Sequence, residues 1–260
     1  VNPDVRAELY KLRVRAEARE LHDAERHARG WRAPEDFGNL KNELTLPDEA
    51  ARFRVAGLLG AGHNAILVAG RKAGKTTTVN ELVRSLVDDE PFLGRFAVTP
   101  AAGDVAIFNY EVEQTQYRRW LREVGIVNTD RVHVLHLRGK ALPMADARVR
   151  AWVAAWLRER GVETWVVDPY SRAYVGSVDN GNDEAKVGAF LDSLDRVKEA
   201  AGVSQLVMPV HSPKAKAEAG EESAIGSQRL EGWPDALWYL TKDLESGARF
   251  LRAEGRDIDH

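Results

Sequence analysis

From Phe53 onward, short apolar runs alternate with longer segments in which apolar side chains recur every three or four positions. The runs at 65–69, 104–110, 132–136, 163–168 and 204–210 predict strands, and the segments at 75–87, 114–123, 145–160 and 184–200 predict helices. Strands that alternate with helices over this length predict an α/β fold with a mainly parallel, twisted sheet covered by helices on both faces. The tail breaks the alternation. In ALWYLTKDLESGARFLRAEG, two β-like runs at 236–241 and 248–253 flank a turn at Ser246-Gly247, which predicts a C-terminal β-hairpin closing the sheet.

The N-terminal pattern is of another kind. Residues 4–29 contain no Pro or Gly, and Val5, Leu9, Leu12 and Ala16 fall on one thin stripe of a helix. Such a helix either packs on its own domain or docks on a neighbouring subunit. The following stretch, GWRAPEDFGNLKNELTLPDEA, reads as an irregular connector. The chain thus divides into an N-terminal helical arm and connector, 1–44, and a main domain, 45–260.

Composition narrows the function classes. With 260 residues and 44% hydrophobic content the chain can bury a substantial core. A formal net charge of −3 gives no global basic footprint, so nucleic-acid binding would have to come from local patches. The absence of cysteine excludes disulfides, thiolate metal sites and thiol nucleophiles. No apolar run approaches the roughly 18 residues of a membrane span. A cytoplasmic protein without membrane contact is the expectation.

The chemistry concentrates in AILVAGRKAGKTT, residues 65–77. An apolar strand breaks into a glycine-rich loop, and a helix begins near Lys75. Backbone N–H groups in such a loop surround a phosphate, while the positive end of the helix dipole faces it. The residues of the cradle are Ala69, Gly70, Arg71, Lys72, Ala73, Gly74, Lys75, Thr76 and Thr77. Lys75 would reach the outer phosphates, and the Thr76 hydroxyl would hold Mg²⁺. Ala69 stands where the motif ordinarily has its first glycine.

A second carboxylate is needed to orient the cation, and Asp168, at the end of the apolar run TWVVD, fits that need. Hydrolysis also needs a group to activate water. The position after Asp168 is Pro169, so the base must come from another strand. Glu111 closes the run VAIFNYE at the edge where a doubly wound sheet binds ligands. Glu113 is its local rival, but it directly precedes the helical pattern QTQYRRWL and reads as a helix-start acid.

Together, the A-x4-GKT loop, Glu111, DPYSRAY with the following VDNGND, the later strand LVMPVHSPK and the closing RAEGRD resemble the RecA-like P-loop ATPases of the RepA and DnaB hexameric-helicase type. The resemblance covers about 45–257. It implies a RecA-like P-loop NTPase fold that binds ATP and Mg²⁺, with Asp168 as the Walker B acid and Glu111 as the catalytic glutamate. It also implies that His211 senses the γ-phosphate from a strand end, and that Arg256 serves a neighbouring subunit's nucleotide as an arginine finger, with Arg252 as the alternative. Glu254 departs from the lysine of the family's Lys-x-Arg pair, and Ser212 from a second histidine. Without the resemblance, His211 reads as a polar strand end and Arg256 as a solvated arginine.

The same resemblance implies a homo-oligomer, in that family a hexameric ring, with single-stranded DNA as partner and a helicase or translocase role in replication of a phage, plasmid or similar element. The two loops that would face a pore, 175–186 and 212–224, are poor in cations. Lys214 and Lys216 in the second sit beside three glutamates. This keeps two further readings open. One is a nucleotide-switched module that binds DNA or a partner with little unwinding, such as a loader, recombination mediator or plasmid-control factor. The other is a small-molecule kinase, against which stands the lack of an arginine-rich lid.

Overall fold

A computed structural model describes residues 5–15, 18, 39–45, 53–175, 184–212, 228–243, 245–256 and 258–259. The chain divides into two compact units, Val1–Glu49 and Ala50–His260. In the first, α1 spans 5–15 and carries Val5, Leu9 and Leu12 exposed. Apart from Ala18, which is also helical, the remainder of the helix expected to residue 29 lies outside the described residues. Helix α2 (Leu40–Glu43) follows, capped by the Asn39 side chain, which accepts from the Asn42 amide.

The second unit opens with a small antiparallel pair, β1 (Phe53–Val55) and β2 (Leu59–Gly60). The main sheet is built from β3 (Ala65–Ala69), β4 (Asp104–Asn109), β5 (Val132–His136), β6 (Val162–Asp168), β7 (Gln205–His211), β8 (Ala236–Lys242), β9 (Arg249–Gly255) and β10 (Ile258–Asp259). The strands lie in the order β10-β9-β8-β3-β7-β6-β4-β5. All pairings from β8 to β5 are parallel, and β9 returns antiparallel on β8 as the expected C-terminal hairpin.

Each central strand feeds two cores, because successive side chains point to opposite faces. Ile66 and Val68 of β3 join Phe108, Trp165 and Met208 on one face. Ala65, Leu67 and Ala69 join Ile107, Val166 and Val207 on the other. The first face is covered by α5 (Ala147–Glu159) and α7 (Glu184–Ala201), through Val153, Leu157, Leu191 and Leu194. The second is covered by α3 (Lys75–Asp88) and α4 (Gln114–Val124), through Val79, Leu82, Val83 and Tyr117. Burial on both sides explains why β3 reads as an unbroken apolar run rather than an alternating one.

Short elements escape the periodicity reading: β1, β2, β10, α6 (Tyr170–Val175) and α8 (Gln228–Gly232). None is long enough to set a period. A buried polar cluster ties β1 to the sheet. Arg54 donates from Nε to Gln205 Oε1 at 2.9 Å and pairs with Glu163, while Glu163 Oε2 accepts from the Gly103 amide at 2.8 Å. This cluster sits at the start of β6 and β7. The ends of β3, β4, β6 and β7 therefore remain for chemistry at the opposite edge. Most of the two expected pore loops, 176–183 and 213–224, lies outside the described residues. Among the described residues, no helix is long and apolar enough to cross a membrane.

Candidate active site

Parallel pairing brings four strand ends to one edge. Ala69 is in register with His211, and Asn109 with Asp168. The loop after β3 then turns into α3 at Gly74, whose φ of 112° is one that a side chain rarely adopts. A Cβ there would also come within 3.1 Å of Arg249 Nε. At Gly70 the nearest atom to an added Cβ is Ser212 Oγ at 3.8 Å, ordinary contact. Of the two glycines, Gly74 is the one that this backbone requires.

Lys75 is buried at the head of α3. Its ammonium donates to the carbonyls of Ala69 and Gly70, both at 2.9 Å, and lies 3.0 Å from His211 Nδ1. An ammonium has only donors, so His211 Nδ1 is the acceptor and the imidazole proton sits on Nε2. Burial first, then the charge of Lys75, lowers the His211 pKa and keeps the ring neutral. Burial likewise lowers the Lys75 pKa, while Asp168 and Glu111 pull it back up.

Thr76, one residue on, donates to Asp168 Oδ2 at 3.3 Å. Burial raises the Asp168 pKa from 3.8 to about 6, a shift that the Thr76 hydrogen bond opposes and the charge of Glu111 reinforces. A hydroxyl and a carboxylate side by side, with a second carboxylate acting on them, are the oxygen donors that suit Mg²⁺. The residues fit the ion: Thr76 and Asp168 would hold it.

Glu111 follows β4 and lines the same cleft, of about 760 Å³, as Lys75, Thr76, His211 and Trp120. Among the described residues, no hydrogen bond or ion pair engages its carboxylate. Glu113 is occupied differently. It is the N-cap of α4, where its side chain accepts from the Gln116 amide at 3.0 Å. Hydrogen bonds from the Thr115 and Gln116 amides lower its pKa.

The structure brings Lys75, Thr76, Asp168, Glu111 and His211 together, but places Arg256 elsewhere. Arg256 follows β9 at the opposite edge, paired with Asp235 at 3.0 Å. Arg252 lies over the Tyr239 ring, 4.3 Å from its centroid, and pairs with Glu254. Neither lines the cleft. The arginine of the hairpin that does is Arg249, whose Nε donates to the Ala73 carbonyl at 2.9 Å. Sequence reasoning missed it, because only the return of β9 along β8, itself beside β3, brings it to the loop. Asn109 was missed too, although a polar residue ending an apolar run two positions before Glu111 was a readable signal.

A parallel sheet with a phosphate loop on one strand, an acid on the strand two places away and a hairpin at the edge defines a RecA-like P-loop ATPase domain. The AAA_25 family, an AAA domain, matches residues 34–217, and the chain belongs to it. Among solved structures, the fold is similar to that of a KaiC-like protein from the hyperthermophilic archaeon Pyrococcus horikoshii OT3, with a TM-score of 0.52 and 13% identity over 78% of this chain and 82% of that one. Comparison with curated proteins finds no match.

Proposed function

We propose that the chain hydrolyses ATP with Mg²⁺ and couples the cycle to movement on single-stranded DNA as a homo-oligomeric motor of the RepA and DnaB type. The observation that carries hydrolysis is the Glu111 carboxylate, unengaged among the described residues and delivered by β4 to the cleft that holds Lys75 and Thr76. The loop amides and Lys75 bind the phosphates, and His211 couples Lys75 to the end of β7. Bound Mg²⁺ would neutralise charge on the outer phosphates. Glu111 takes a proton from the attacking water.

The motor reading rests on the family resemblance of DPYSRAY and RAEGRD, with Arg256 directed at a neighbouring subunit and residues 1–44 serving as an arm. A nucleotide-switched binding module is the second reading. It is favoured by the engagement of Arg252 with Glu254 and of Arg256 with Asp235 in the same chain. ATP turnover, solution mass and strand separation, each measured with and without single-stranded DNA, distinguish them. A motor assembles, turns over faster on DNA and separates strands. A switch assembles with ATP yet displaces no strand, and turnover indifferent to DNA overturns the motor reading.

A further inference from the structure

Asn109 ends β4 with a buried side chain whose hydrogen-bonding groups are all committed. Its Oδ1 accepts from the amides of Glu111 at 3.2 Å and Val112 at 2.9 Å. Its Nδ2 donates to the Val112 carbonyl at 2.8 Å and lies 3.2 Å from His136 Nδ1. One carboxamide therefore shapes the turn that carries Glu111 from the strand to the cleft. Exchanging its oxygen and nitrogen would set donors against two amide donors and an acceptor against a carbonyl, so only one orientation is satisfied.

His136 is the registered neighbour of Asn109 on β5. Since Nδ2 can only donate, His136 Nδ1 accepts, which requires a neutral ring with its proton on Nε2. The groups that act on the ring are Arg118 and Glu113 at α4 and Lys140 after β5, with the Tyr117 ring edge-on at 6.2 Å. Burial, then Arg118, lowers the His136 pKa, against the opposing pull of Glu113.

We propose that Asn109, held in one orientation by His136, is the positioning residue that fixes Glu111 for water activation. The inference rests on Glu111 being the base. Asn109 touches the backbone of the base and not the nucleotide, so its loss acts on turnover rather than binding. Protonation of His136 removes the acceptor and loosens the turn.

Turnover and ATP affinity of Asn109→Ala, His136→Ala, His136→Asn and Glu111→Gln provide the test. Asn109→Ala lowers kcat about 10- to 100-fold with ATP affinity within about twofold. His136→Ala gives a smaller loss, and His136→Asn, which offers an amide oxygen that does not titrate, recovers most of it. As pH falls below the ordinary histidine range, wild-type turnover declines relative to His136→Asn. If Asn109→Ala does not fold, the two His136 variants decide. Wild-type turnover in Asn109→Ala or His136→Ala, beside an impaired Glu111→Gln, overturns the positioning role alone. Full turnover in Glu111→Gln overturns both this role and the assignment of the base.

Discussion

The Thr76 hydroxyl donates to Asp168 Oδ2 across 3.3 Å, joining the first turn of α3 to the end of β6. The strand between them, β7, separates β6 from β3, so the contact is set by sheet order rather than by sequence proximity. It fixes two oxygen donors at the place where the phosphate loop ends.

A pH dependence follows from this pair. Asp168 is raised from 3.8 to about 6 in the folded protein, so the native state holds the proton more tightly than the unfolded chain. Its contribution to stability is greatest at acid pH, declines as pH rises from 3.8 to about 6 and levels off above that. The proposed Mg²⁺ site would need the ionised form. Affinity for Mg²⁺ with nucleotide should fall about tenfold per pH unit well below about pH 6, as titration calorimetry at several pH values would read. Asp168→Asn should bind weakly at every pH; a wild-type affinity in that variant contradicts the assignment.

Arg249 holds the loop from a distant part of the chain, through its bond to the Ala73 carbonyl. Arg249→Ala should weaken nucleotide binding about 3- to 10-fold, the scale of one ordinary hydrogen bond, because Arg249 is exposed and its charge is screened by solvent. Fluorescent-nucleotide titration checks this. Unchanged affinity would reduce Arg249 to a surface contact.

The Arg54 and Glu163 pair serves the fold from the other edge of the sheet. Removing Glu163 leaves a buried guanidinium without its carboxylate, a loss of about 3–5 kcal/mol. Glu163→Ala should therefore melt about 10 °C lower, with wild-type kcat at temperatures where it stays folded. A melting point within a degree or two of wild type contradicts this.

The run AILVA followed by AGKTT announces β3, the loop and α3 in the sequence itself, because a strand buried on both faces is apolar throughout and a helix start beside glycine is locally encoded. Pro169 after Asp168 points to a base on another strand, and Glu111 lies in the cleft. What could not be read depends on pairing between distant segments. Arg249 reaches the loop through the β8–β9 return, and Arg54 meets Glu163 and Gln205 only after the sheet forms. The short pair β1–β2 carries no period, so nothing local announces it.

Single-turnover ATP hydrolysis, compared between wild type and Glu111→Gln with protein in excess over ATP and with saturating Mg²⁺, tests the role of Glu111 most directly. The expected result is binding within about twofold and hydrolysis at least about 100-fold slower, the scale of a lost general base. Hydrolysis at the wild-type rate in Glu111→Gln would contradict it.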